Sequence, residues 1–324
     1  MSVPGGVAGP LSGTRAVDLT RVLAGPFCSM LLADMGCDVI KVERPGGGDE
    51  TRAWGPPFRG GQSLYFLSVN RNKRSVALDL KSDAGRAALE RLAASSDILI
   101  ENFLPGTMER MGLGYARLRE VNPRLVYCSI SGFGADGPRA RTPGYDVTVA
   151  GMFGLLSITG EADGPPCKPG VALTDICTGL TAQSGILSAL LQRERTGEGQ
   201  KVETSLMEVQ LASLVNIASN ALNTPPQEWS PKRWGTAHES IVPYQAFVCS
   251  CGGHVLVGAN SDDGFRKLAV EMGLEELATD PKFSSNAKRV ERRVELIGTL
   301  DRRFREKTVG EWVGLIEPLG IPVG

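Results

Sequence analysis

Histidine is nearly absent from this chain: His238 and His254 are the only two in 324 residues. A Ser-His-Asp mechanism or a histidine-ligated metal therefore has little material to work with. There is no excess charge of one sign either, since 35 Lys and Arg face 36 Asp and Glu for a net charge of -1. Nucleic-acid binding driven by bulk electrostatics is excluded, and any anion must be held locally. No apolar run reaches the roughly 18 residues of a membrane span. Met1 to Pro10 has neither an apolar leader core nor an Arg-rich amphipathic pattern, so a soluble chain without a targeting segment is expected. The seven cysteines (28, 37, 128, 167, 177, 249 and 251) are odd in number and sit mostly in apolar patterns. Reduced thiols fit that better than a disulfide framework. Cys249 and Cys251, one residue apart beside Gly252-Gly253, lack zinc-knuckle spacing, so no metal is expected.

What the chain does have is 42% hydrophobic residues and the length for two domains or one large α/β domain. Arg15 to Leu19, Cys37 to Glu43, Ser75 to Leu80, Ile98 to Ile100, Leu125 to Ile130 and Lys201 to Ser205 read as short strands. Helical patterns alternate with them: Phe27 to Met35, Ser82 as cap of a helix to Ala94, Tyr115 to Val121, Ile176 to Gly197, and a long apolar helix to about Leu222. Such alternation predicts an α/β fold with a mostly parallel, Rossmann-like sheet flanked by helices. The Pro-rich stretch from Asn223 to Trp229 suggests a boundary. Beyond it, Tyr244 to Val248 and His254 to Val257 form a hairpin followed by short helices. The expected division is a large domain over 1–222, a linker and loop over 223–238, and a smaller α+β domain over 239–324.

Ligands of parallel sheets lie at the carboxyl ends of the strands. Basic and Gly-rich loops are expected there: Glu43 to Gly48 with Arg44, Asn70 to Arg74, and Asn102 to Gly106 leading to Arg110. Together they suit a phosphate-bearing nucleotide. Gly132-Phe133-Gly134-Ala135-Asp136-Gly137 matches a dinucleotide fingerprint, but Pro138 and a polar run follow, so no helix opens at the last glycine. A NAD-dependent enzyme is the weaker alternative. Asp175, in Lys168 to Gly179, stands where an apolar run meets a helix. It is either a helix cap or an ionised nucleophile able to attack an activated acyl group.

The segments Asp18 to Pro26, Ile40 to Pro45, Asn72 to Ser75, Glu101 to Phe103, and Thr174-Asp175 before a Gly-containing helix resemble, in order and spacing, the class III CoA-transferase family. Arg233 to His238 with Val242 to Phe247 is most similar to its succinate:hydroxymethylglutarate branch. The resemblance implies that Asp175 is the catalytic aspartate. It implies CoA contacts at Val22, Leu23, Ala24, Arg44, Leu78, Lys81, Asn102, Phe103, Arg110 and Tyr145, with the backbone near Ala24 beside the adenine. Arg141 would substitute for a cation that Pro143 replaces. Tyr145 stands where related racemases have histidine and cannot shuttle protons at neutral pH, which favours transfer.

The activity implied is transfer of CoA from succinyl-CoA to glutarate or hydroxymethylglutarate through an aspartyl-CoA thioester. CoA thioesters are then substrates, with no tightly bound cofactor. Arg71, then Arg233, are expected to hold the acceptor's remote carboxylate, with His238 positioning it. Gly235, Thr236 and neighbouring N–H groups would cover the intermediates. A homodimer and a mitochondrial location are implied, with the cytoplasm as alternative. Family members continue beyond Gly324 in a tail that closes an interlocked dimer, so a catalytically silent CoA-binding protein, or another transferase or racemase of the family, stays open.

Overall fold

The computed structural model describes residues 9–324, so Met1 to Ala8 of the stretch searched for a targeting segment lie outside the described residues. The chain divides into two units. One comprises Met1–Ser157 and Lys168–Pro231, and the other Ile158–Cys167 and Lys232–Gly324. The expected linker over 223–238 therefore straddles the division, with Lys232 to His238 in the second unit together with a ten-residue excursion from the first.

The first unit is built on six parallel strands: β1 (Arg15–Asp18), β2 (Asp38–Glu43), β3 (Lys73–Ala77), β4 (Ile98–Glu101), β5 (Val126–Ser131) and β6 (Lys201–Ser205). Their order is β3-β2-β1-β4-β5-β6, so the chain reverses direction across the sheet between β1 and β4. Side chains alternate between two apolar layers, as a sheet buried on both faces requires. Ala16, Ile98, Ile100, Val126 and Cys128 face a core completed by α1 (Ala24–Asp34) and α5 (Leu173–Thr196). Val17, Leu99 and Tyr127 face the opposite core with α2 (Asp83–Ala94) and α3 (Tyr115–Val121). Ser82 caps α2 by accepting from Gly85 N, as the sequence predicts. The first unit also contains α4 (Asp146–Met152).

The expected long helix to Leu222 is instead two, α6 (Leu206–Ser213) and α7 (Val215–Asn223), because Val215 at φ 42° breaks the run. In the second unit β7 (Tyr244–Val248) and β8 (His254–Gly258) pair antiparallel. They pack with α8 (Asp262–Glu271), α9 (Arg293–Phe304) and α10 (Val309–Ile316) around Phe247, Phe265, Phe304 and Trp312. Among the described residues no helix is long and apolar enough to cross a membrane.

A cluster of charge is buried in the first unit under the loop after β1. Asp18 accepts from Thr20 N (2.9 Å), Ser29 Oγ (2.6 Å) and Lys73 Nζ (3.1 Å). Lys41 Nζ donates to Thr20 O (2.8 Å) and pairs with Asp49 (3.1 Å), both side chains at 2% exposure or less. Removing one member of such a pair strands the other charge. Asp49→Ala is expected to cost about 3–5 kcal/mol in denaturant unfolding, with part recovered when Lys41→Met is added. A loss under about 1 kcal/mol would show that the pair is not needed for stability.

Candidate active site

The loop from Arg21 to Ala24 leaves β1, and the loop from Asn102 to Pro105 leaves β4, so the two diverge at the point where strand order reverses. Ligands of open parallel sheets bind in that crevice. Asn102 joins the loops by accepting from Arg21 N (3.0 Å) and donating to Arg21 O (2.9 Å). Val22 lies in the left-handed region at φ 69°, where a β-branched residue is strained. Its N–H points to the Asp49 carboxylate at 3.3 Å.

Asp175 enters from α5. It is a first-turn residue; Ala172 is the cap position, and no cap bond is made there. The helix comes close to α1 because Gly179 has no Cβ, which would lie 2.7 Å from Ala24 O. Thr174 Oγ donates to Gln210 Oε1 of α6 (2.6 Å) and pins the turn. The loop over 132–145 folds back where Gly132 and Gly144 touch; a Cβ on either would fall under 3.0 Å from the other's backbone. The return delivers Tyr145 and Asp146, and Asp146 accepts from Asp175 N (3.1 Å). The glycine fingerprint thus builds a closed loop, not a helix start.

Burial, and then the neighbouring Asp146, push the Asp175 carboxyl up from 3.8 to about 7. The N-terminal end of α5 acts in the opposite sense, but such effects are worth only about 0.3–1 kcal/mol. Asp175 therefore titrates near neutrality, where an ordinary carboxylate is fully ionised.

Two cavities meet at Asp175, Val22, Leu23 and Tyr145. The first, about 270 Å³, also touches Arg21, Ala24, Asn102 and Phe103. The second, about 660 Å³, has Trp54, Tyr65, Val147, Lys168, Val171 and Ile176 in its walls. A third, about 240 Å³, shares Arg21 and Phe103 with the first and gathers Arg44, Leu78, Leu80, Lys81 and Met111. Most sequence-expected contacts thus come together along one path from Lys81 to Asp175.

Several do not. Ala24 does lie on the path but, though expected beside an adenine, borders the Asp175 cavity and not the one with Arg44 and Lys81. Arg110 bonds Thr107 Oγ (2.9 Å), and only Thr107 of that turn lines the third cavity. Arg141 is exposed in the returning loop. Arg71 is bidentate to Asp34 (2.5 and 3.1 Å) and lines none of the three cavities. Arg233, Gly235, Thr236 and His238 belong to the second unit and serve its scaffold. Arg233 donates to the carbonyls of Gly164 (2.6 Å) and Glu161 (3.2 Å), and Gly235 N donates to Gly160 O (3.0 Å). Thr236 Oγ accepts from Ala246 N, and His238 stacks on Tyr244. Asp146, Arg21, Trp54 and Tyr65 were not singled out by sequence. Asp146 could have been found beside the Gly144-Tyr145 pair; an isolated aromatic such as Trp54 carries no such signal.

A half-buried carboxylate of raised basicity, at the meeting of an apolar cavity and a path that carries Arg21, Arg44 and Lys81, suits an α/β group-transfer enzyme that works on acyl compounds. The chain belongs to CoA-transferase family III, whose model matches residues 11–324. It is 48% identical over 315 residues to a succinyl-CoA:glutarate CoA-transferase of Mus musculus, covering 97% of this chain and 71% of that protein. It is 46% identical over 293 residues to a succinate–glutarate CoA-transferase of Agrobacterium fabrum, covering 89% and 72%. A CaiB/BaiF family protein from Brucella suis superposes with a TM-score of 0.85 at 42% identity, covering 98% of this chain and 84% of that one.

If ionised Asp175 is required, activity at limiting acyl donor should fall as pH drops through about 7. Asp146→Asn keeps an acceptor for Asp175 N but removes the like charge, so the acid limb should move to lower pH. A profile that does not move in this variant would separate Asp175 ionisation from catalysis.

Proposed function

We propose that this protein is a CoA-transferase that moves CoA from succinyl-CoA to a dicarboxylic acid, glutarate or hydroxymethylglutarate, through Asp175. The observation that carries the reading is the position of one carboxylate, of raised pKa, at the junction of two cavities. A transferase must present the same group first to a thioester and then to a free acid, and such a junction does so without moving the group.

In the proposed route Asp175 attacks the thioester carbonyl of succinyl-CoA and expels CoA thiolate, leaving a mixed succinyl–aspartyl anhydride. The thiolate attacks the aspartyl carbon, releasing succinate and forming an aspartyl-CoA thioester. The acceptor carboxylate attacks that carbonyl, giving a second anhydride and thiolate. Attack of the thiolate on the acceptor's carbonyl yields the new thioester and restores Asp175. A carboxylate is a weak nucleophile, so positioning must supply much of the acceleration; well-oriented intramolecular reactions gain roughly 7–11 kcal/mol.

CoA would lie along the path from the third cavity to the first. The adenine fits among Leu78, Leu80, Phe103 and Met111, with Arg44 and Lys81 meeting phosphates. Arg44→Ala should therefore raise KM for acyl-CoA several-fold more than it lowers kcat, as loss of uniform binding does. Equal loss of kcat at saturating donor would move Arg44 to the chemistry. The homodimer and the mitochondrial compartment, or the cytoplasm instead, belong to the same reading; light scattering and cell fractionation test them.

The deciding experiment mixes the protein with succinyl-CoA and a panel of free acids and weighs the new thioesters. Asp175→Asn should lose turnover by at least about a thousandfold while unfolding no more readily than wild type at pH 7, since it removes a carboxylate whose ionised form burial and Asp146 disfavour. A wild-type adduct of CoA mass on the Asp175 peptide, cleaved by hydroxylamine, is expected. Near-wild-type turnover in the variant would remove Asp175 from the route, and a wild type that binds succinyl-CoA without adduct or product would favour a silent CoA-binding protein.

A further inference from the structure

A diacid that reacts through one carboxylate brings a second into the protein, and that charge needs a partner. The two arginines expected to meet it line none of the three cavities: Arg71 pairs with Asp34, and Arg233 bonds two backbone carbonyls of the second unit. In the 660 Å³ cavity beside Asp175, Lys168 is the only cationic lining residue among the described residues. It stands seven residues before Asp175, in the exposed strap that leads into α5, and its Nζ lies 3.3 Å from its neighbour Pro169 O. The carboxyl groups on that cavity are those of Asp146 and Asp175, which cannot serve as a cation. Trp54, Phe27, Val147, Val171 and Ile176 give the cavity apolar walls suited to a methylene chain.

We infer that Lys168 is the specificity-determining residue for dicarboxylates, binding the carboxylate that does not react. The inference rests on the proposed transfer through Asp175 and deepens it. Because the acyl donor and the acceptor meet Asp175 in turn, the free carboxylates of the succinyl group and of the incoming diacid occupy the same place successively. A single ammonium then selects both partners. It is a compact point charge on a flexible stem, which suits diacids of more than one length better than a rigid guanidinium fork does. The apolar walls hold the chain between the two ends, so a monocarboxylic acid of equal length retains the walls and loses only the ion pair.

The test compares glutarate with valerate, which has the same number of carbons and one carboxylate. Wild type, Lys168→Met and Lys168→Arg are measured in two ways: catalytic efficiency with each acid as acceptor, and acid binding by saturation-transfer NMR. Lys168→Met is expected to reduce the glutarate-to-valerate ratio about tenfold in both measurements, and Lys168→Arg to restore at least half of it. The first half-reaction offers an internal check, because CoA release from succinyl-CoA should suffer more than that from acetyl-CoA. An unchanged ratio, equal losses for both acids, or a wild type that binds glutarate no better than valerate would each overturn the assignment. Failure of the underlying transfer reading looks different: glutarate would still bind in preference, through Lys168, but no glutaryl-CoA would form.

Discussion

The site depends on charges buried where the first strand ends. Asp18, Lys73, Lys41 and Asp49 are all nearly inaccessible, and each is satisfied by a partner of opposite charge and by backbone or hydroxyl groups of the loop above. Burial alone would raise Asp18, yet the two lysines and the Ser29 and Thr20 hydroxyls bring it to about 2, and Lys73 is drawn down to about 8 by its own desolvation. Such a network contributes little net stability over an apolar core, because desolvation consumes most of the attraction. Its consequence is geometric. Lys41 fixes Thr20 O, Asp49 receives Val22 N, and Lys73 fixes Pro26 O, so both ends of the loop are tied from below. Val22 can then be kept at φ 69°, a conformation costing of order 1–3 kcal/mol when nothing compensates it. Two of the three cavities owe part of their wall to that residue.

Asp175 is positioned by a second set of constraints that are mostly about closeness. Gly179 lets α5 approach α1, the Gly132–Gly144 contact returns Asp146 to the start of α5, and the Thr174–Gln210 bond holds the turn. None of these touches the carboxylate itself. The result is a carboxyl group with a like charge nearby and no cation among the causes that set its pKa. That differs from Glu43 of the same unit, whose carboxylate faces a guanidinium. Glu43, held by Arg52 and Ser75, is brought down to about 2.

The fold was legible because both of its signals are local. Strand-helix alternation and short apolar runs need only the chain's own periodicity, and strand ends came within a few residues of the observed ones. Strand order is not local: nothing in Ile98 to Glu101 says that it pairs with β1 instead of with the preceding β3. Residues that share a cavity because they follow neighbouring strands, such as Leu23 and Asn102 or Arg44 and Leu78, were readable together from the family resemblance. What was not readable is how a charged side chain spends its bonds. Arg71 looked available in a polar turn, yet Asp34, far away in sequence on α1, takes both of its nitrogens. Asn102 looked like a ligand contact and proves to bind Arg21's backbone as well as lining the cavity. Composition cannot foresee either, because each partner is supplied by tertiary packing.

The raised pKa of Asp175 and the chemistry proposed for it are connected through charge. An ionised carboxylate in this setting is destabilised by burial and by Asp146, whereas the anhydride and the thioester formed from it are neutral. In the proposed route each acylation would therefore move the charge from Asp175 to the leaving CoA thiolate and then to the departing carboxylate, and each deacylation would return it to Asp175. Taken through to release of succinate, the proposed first half-reaction would therefore favour the covalent enzyme more than the same reaction in water does. A more basic carboxylate is also the better nucleophile once ionised. At a pKa near 7 about half of the groups are ionised at neutral pH, so basicity is gained without losing most of the reactive form. A value nearer 4 would forgo the nucleophilicity and the relief on acylation, and one near 9 would leave too little anion. Asp146, which adds to the effect of burial, would thus help to hold Asp175 inside that window while its carboxylate accepts from the N–H of Asp175.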